Sequence, residues 1–326
     1  MTAREFLNKA KVGDCEALEP HWDSEGFPPL AEVFEKAVTD YRTVRRKPGH
    51  LEILKRCLEQ GLRLDRRVVR IAAGFGNSEI IAWMDAKGLP KDPFIAASLG
   101  DLAGVQRSPE PVDDLKDGQG WNLLHYTAGS GLGRVDPEMA GRLAELARWL
   151  IGQGTDPSLA VGSEWPITPV FLCASKGGNA AVMEVLLDTG EVSVPKLHRE
   201  VEFAIEPHQR SGPPFSEVAE TILENGFDLN SIRPGQGRTL LHGSANRGSK
   251  GAVRWLLDHG ADVRVQDAEG RTPLHAAAIR NTHIAVVEML IEAGASPKVT
   301  DAAGQTALAL ACDHGREKVR RFLERL

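Results

Sequence analysis

The sequence predicts an all-α solenoid: helix-turn-helix units stacked in series and joined by hairpin-like loops. Three observations carry that prediction. Glycine is over-represented, at 33 of 326 residues, or about 10% against an average near 7%. An apolar segment ending in Gly recurs at Gly154, Gly190, Gly226, Gly260 and Gly294, with spacings of 36, 36, 34 and 34. A second marker runs in phase with the first: GWNLLHYTA (120–128), GRTLLHGSA (237–245), GRTPLHAAA (270–278) and the weaker GQTALALAC (304–312). Periods of this length are the mark of repeat architectures, which makes a count of domains from length alone misleading.

Each part of the unit has its own reason. Thr239, Thr272 and Thr306 are good N-caps, and Pro273 suits the first helical position, so the tetrapeptide opens a first helix. Small residues such as Ala277 and Ala278 let that helix pack closely. A glycine about nine residues later (Gly177, Gly248, Gly315) turns the chain into a second helix. Segments such as VRWLLDHG and VEMLIEAG form that helix, and the closing glycine supplies the left-handed backbone that ends it. Gly61 and Gly88 extend the series upstream, and Gly49 is expected between helices.

Taken along the chain, residues 1–28 are predicted to form irregular N-terminal cap helices. Residues 29–301 form the repeat array, and 302–326 form a C-terminal capping repeat. The array is interrupted twice. The distance from Asn122 to Thr168 is 46 residues, and the excess falls in GLGRVDPEM (131–139), between two helices. A second insertion, EPHQRSGPPF (206–215), is made a stiff loop by Pro213 and Pro214. These units resemble the ankyrin repeat family. The resemblance is clearest over 235–326, where RTPLHAAA, VVEMLIEAGA and the Asp267/Gly270 loop stand as in that family. It weakens toward the N-terminus and implies about nine repeats and a protein-binding role.

Composition excludes several classes of function. No apolar run approaches the ~20 residues of a membrane-spanning helix, and MTAREFLNKAK has no apolar signal-peptide core. The four cysteines (15, 57, 173, 312) are scattered with no C-x-x-C pair, which fits reduced thiols in a cytoplasmic or nuclear protein that is not secreted. The stretch RTVRRKP (42–48) admits a nuclear-import reading. A net charge of -6 argues against nucleic acid as the main partner. Residues 41–70 hold ten Lys/Arg against three Asp/Glu, read as a solvated surface. With aromatics at 6%, the core must rest on Leu, Ala, Val and Ile.

Catalytic signatures are absent: there is no G-x-S-x-G, no H-E-x-x-H and no phosphate loop. No cofactor or metal is implied. His125, His242 and His275 recur at one repeat position, and each is expected to orient its own turn by hydrogen bonds. His198, Glu202 and Glu206 fall on one helix face, with Glu200 and His208 nearby. They have the spacing of a metal or acid/base site, but Glu202 stands where the helix-opening histidine of other units falls, and the others are expected to be solvent-exposed. Trp83, Trp149 and Trp255 replace aliphatic residues in second helices and are expected in the core.

Trp121 and Trp165 instead precede a helix opening, where an exposed indole serves binding better than folding. The predicted partner-binding region is therefore Trp121, Tyr126, Trp165 and Lys176. Its polar continuation is Arg238, Asn246, Arg247, Arg271, Arg280 and Asn281. The leading reading is a monomeric intracellular scaffold that binds another protein on the concave face and hairpin tips. The alternative is an unusual enzyme or small-molecule binder, its groove covered by the two insertions, with Glu206 or His208 as acid/base.

Overall fold

A computed structural model describes the chain except residues 12–13, 23–25, 39–47, 64, 75–77, 90–91, 207–215, 236 and 281–283. The described residues are helices joined by turns, with isolated antiparallel bridges and no named strand. They form two compact units. One comprises Met1–Val192 with Pro207–Thr221, the other Ser193–Glu206 with Ile222–Leu326.

In the first unit a layer of first helices runs Ala3–Lys11, Leu30–Val38, Arg66–Gly74, Pro93–Ser98, Leu123–Ala128 and Pro169–Leu172, each packed on the next. Second helices lie behind them, among them Pro48–Glu59 on Ser78–Ala86, and Pro137–Gly152 on Ala180–Leu187. Gly49 lies inside the Pro48–Glu59 helix, so its expected inter-helix place is corrected. The core is built mainly of Leu, Ala, Val and Ile. Its N-terminal end adds an aromatic cluster of Phe6, Trp22 and Phe27, with centroids 4.9–5.5 Å apart.

The second unit repeats the arrangement regularly. Helices Leu240–Arg247, Pro273–Arg280 and Ala307–Asp313 make the front layer, and Lys250–Asp258, Ile284–Glu292 and Glu317–Leu323 the back. Thr239 and Thr306 cap their helices through the N–H groups of His242 and Ala309, as expected. Successive hairpins are laddered: Ala268 N–H donates to the Gly237 carbonyl (3.1 Å), and Ala302 N–H to the Glu269 carbonyl (3.0 Å). A Cβ on Gly270 would stand 2.8 Å from the Ala302 nitrogen. Gly270 is therefore needed for close approach as well as for its turn, as is Gly237, whose Cβ would stand 2.8 Å from that of Ala268.

All seven glycines expected to end second helices have positive φ, from 71° to 102°. The inter-helix glycine of the Pro169–Leu172 unit works differently. That helix continues through a wide π turn, Cys173–Gly177, and the left-handed residue is Gly178. Gly177 is instead a contact residue: a Cβ there would lie 2.0 Å from the Ala128 carbonyl oxygen.

The first insertion departs from its expected form. Residues 131–139 are not a loop between helices. Gly131 N–H donates to the Ala73 carbonyl (2.9 Å), Leu132–Val135 is a short helix with Leu132 buried, and Asp136 caps the 16-residue helix Pro137–Gly152. Much of the extra length is thus spent on a longer second helix. The second insertion lies, from residue 207 on, outside the described residues, as do residues 42–47 of RTVRRKP. Trp83, Trp149 and Trp255 are half-buried, not core. A helix of the outer layer buries only one face, and an indole there reaches its edge. Trp255 stacks on His259 (4.1 Å), and Lys87 lies over Trp83 (5.4 Å).

Candidate functional site

The hairpins before the first helices are organised by aspartates in one register. Asp117, Asp267 and Asp301 each stand five residues before the helix cap. One oxygen of each accepts the backbone N–H groups two and four residues on: Gln119 and Trp121, Glu269 and Arg271, Ala303 and Gln305. The second oxygen meets a neighbour. Asp117 accepts the Tyr126 hydroxyl (2.6 Å), Asp267 accepts Arg238 Nε (3.1 Å), and Asp301 stands 3.6 Å from Arg271 Nε. Burial opposes ionisation of Asp117, but the Tyr126 hydroxyl, the N–H groups of Trp121 and Gln119, and the charge of Arg70 hold its carboxyl below the usual range. Burial, reinforced by the bond to Asp117, pushes the Tyr126 phenol up.

The histidines behave as expected and do one thing more. The Nδ1 atoms of His125, His242 and His275 meet the capping side chains Asn122, Thr239 and Thr272 at 2.7–2.8 Å. Their Nε2 atoms reach the following unit, at the carbonyls of Ile167, Arg271 and Gln305 (2.8–3.2 Å). Each ring therefore fixes its own turn and stitches two repeats together. Burial lowers the pKa of all three, keeping them neutral.

Trp121 is corrected by the structure. It is only 8% exposed, lies along His125 (5.5 Å), and is covered by the Arg70 guanidinium at 4.7 Å from its ring centroid. Tyr126 is buried beside it, edge-on at 6.0 Å. The reason is register. Trp121 immediately precedes the helix cap, where the hairpin folds back on its neighbour, whereas Trp165 stands three residues before its cap, at the tip. That hairpin is closed by Val161 and Ile167, which exchange backbone hydrogen bonds (2.9 and 2.8 Å), and Trp165 projects from it 70% exposed. Lys176 is exposed in the π turn.

In the second unit, Arg238 and Arg271 are tied to the hairpin aspartates, and the Asn246 amide donates to the Ala276 carbonyl (3.4 Å). Arg280 is exposed. Asn281 and His208 lie outside the described residues.

The expected exposure of His198, Glu200 and Glu206 is also overturned: all are buried, as is Glu202. They do not converge on a metal, and no group of three or more His, Cys, Asp or Glu able to hold one occurs among the described residues. His198 Nε2 pairs with the Ser231 hydroxyl (2.9 Å), which itself donates to the Asp228 carbonyl. Glu202 is clasped by Arg233 (2.6 Å) and Arg247 (2.7 Å), and Arg247 Nε also holds Glu206 Oε2 (2.7 Å). Charges this buried are stable only when paired. Burial raises the pKa of Glu200, against the neighbouring Arg199. This network was missed from sequence because Arg233 comes from another repeat, 31 residues after Glu202, with no pattern to announce the pairing.

Comparison with known proteins adds the family context. The family profile described as "Ankyrin repeats (3 copies)" matches residues 210–301 and 260–325. The chain is 33% identical to the Drosophila melanogaster neurogenic locus Notch protein over 268 residues, 78% of this chain and 8% of that protein. It is 42% identical to mouse Rabankyrin-5 over 81 residues, 22% of this chain and 7% of that one. The matched stretches thus span under a tenth of these relatives. Among solved structures, the ankyrin repeat domain of Bcl-3 covers 70% of the chain (97% of its own) with a TM-score of 0.50 and 21% identity. The human ASB11 ankyrin repeat domain covers 71% (96% of its own) with a TM-score of 0.50 and 24% identity. These likenesses show the fold.

Proposed function

We propose that this chain, which belongs to the ankyrin repeat family, is a scaffold or adaptor that grips a protein partner through its hairpin tips and the adjoining first helices. Ankyrin repeats are in general protein–protein interaction modules, and repeat arrays of this kind bind along extended surfaces. The observation that carries the finer reading is Trp165. A 70% exposed indole on a hairpin closed by two backbone hydrogen bonds is a large apolar surface held in place, and such residues supply much of the energy of an interface. Lys176 is proposed as a further contact in the first unit, and Arg280 as a contact offered by the second. Trp121 and Tyr126 are buried and serve the fold. The reading carries with it a cytoplasmic or nuclear location.

The test is affinity purification of the full chain and its Trp165→Ala variant from the native cell. Specific partners should be lost from the variant while its thermal unfolding midpoint stays within a degree or two. An unchanged partner set sinks the reading.

A further inference from the structure

The second unit contains a small cavity of about 130 Å³, lined by Glu202, Arg233, Arg238, Gly243, Asn246 and Arg247, together with Thr239 and Leu240. We infer that it is a carboxylate-binding pocket that takes an acidic side chain of a protein partner. The inference rests on the protein-binding reading above and names a second point of attachment.

The repeat itself shows that this space is opened locally. One unit on, 33 residues later, the places of Gly243 and Asn246 are held by Ala276 and Ile279. Glycine inside a helix costs about 1 kcal/mol relative to alanine, so Gly243 is unfavourable for the Leu240–Arg247 helix taken alone. A Cβ there would approach Arg247 Nη1 at 3.3 Å. Gly243 thus leaves room for the guanidinium to stand over the cavity, and Asn246 replaces an apolar wall with an amide.

The wall chemistry selects the ligand. Three of the charged lining residues are arginines and one is a glutamate, and both oxygens of Glu202 are already occupied, by Arg233 and Arg247. A cation entering the cavity would meet guanidinium groups, not a free carboxylate. Each guanidinium carries five donors in a planar fork, more than the described carboxylates take up, and that fork matches a carboxylate in bidentate fashion. Glu202, Glu206 and Asp267, with the more exposed Glu269 beside Arg238, offset the charge of Arg233, Arg247 and Arg238 and hold them in position. The attraction is therefore directional, without a large excess of positive charge, which suits a singly charged carboxylate better than a phosphate dianion. The volume is about four times a water's share of liquid, enough for a carboxylate with its methylene stem.

Titration of the full chain with an acetylated, amidated Glu-Asp-Glu peptide, its Gln-Asn-Gln counterpart and inorganic phosphate tests this. The acidic peptide should bind saturably and shift the Arg Nε–H resonances of residues 233, 238 and 247. The amide peptide should be at least tenfold weaker, and raising the salt concentration should weaken the acidic one. Arg233→Gln, which leaves Glu202 paired with Arg247, should cost at least fivefold in affinity, and Gly243→Leu should abolish binding by filling the cavity. Equal binding of the two peptides overturns the proposal, as does saturable binding of phosphate alone or wild-type affinity in Arg233→Gln. If partners depend on Trp165 but the acidic peptide does not bind, only the pocket falls. If the peptide binds but Trp165→Ala keeps every partner, only the hairpin reading falls.

Discussion

Trp121 and Trp165 sit on the hairpins of successive repeats in the same unit and end in opposite environments. One is 8% exposed, between His125 and Arg70, and the other is 70% exposed. Two residues of register separate them. The position next to the helix cap belongs to the hairpin's folded base, where the same place in other units holds Arg238 and Arg271, bound to aspartates. The tip position stands away from that base and leaves its side chain in solvent. An aromatic near a helix opening is thus a binding candidate only at the tip, and at the base it is part of the fold.

The comparison can be broken most directly at Trp121. Trp121→Ala should cost about 3–5 kcal/mol, the range for deleting a buried aromatic, read from urea unfolding. A loss under 1 kcal/mol would show that the indole is not structural. Gly177→Ala comes next, because its Cβ would meet the Ala128 carbonyl at 2.0 Å. Forcing those repeats apart should cost about 1–3 kcal/mol, and a neutral outcome would deny the close approach.

Tyr126→Phe removes one donor from Asp117, with an expected loss of about 1–2 kcal/mol. It should also bring the Asp117 pKa back upward, measurable by carboxyl NMR titration. The pH dependence has a definite sign. Burial lowers the folded-state pKa of His125, His198, His242 and His275 below 6.5, so below that pH the unfolded chain binds more protons than the folded one. Stability should fall as pH drops from 7.5 to 5.5 and be fully present above 6.5. The raised pKa of Glu200 works in the opposite direction but is one group against four. A flat urea midpoint over that range would contradict the buried, neutral histidines. Smallest of all is Trp165→Ala, expected within about 0.5 kcal/mol of wild type, as for exposed sites free of special contacts. A larger loss would make Trp165 a folding residue like Trp121.

Much of the fold could be read because its determinants are local. The second-helix glycines, the Thr caps and the histidines act within a few residues of themselves, and each stands in the structure where its repeat position put it. The candidate site was legible only in part. The exposure of Trp165 followed from its place before a helix opening, but the same rule misplaced Trp121, because the rule did not count register from the cap. Glu202 and Glu206 were recognised as a cluster, and Glu206 was misjudged as exposed. Their burial depends on Arg233 and Arg247, 31 and 45 residues after Glu202, with no periodic signal linking them.

Taken alone, then, the sequence determined the repeat: its period, its helix starts and stops, and the identity of the unit. Those features arise from backbone conformation and capping, which each segment settles for itself. Tertiary structure alone decided which polar and aromatic side chains are spent on joining one repeat to the next and which are left exposed. That depends on what each side chain meets across a hairpin or a helix face. Trp121, Arg238 and Arg271 were drawn into the stack and Trp165 was left outside it, while an unfavourable glycine at 243 opened a cavity that no periodicity announces.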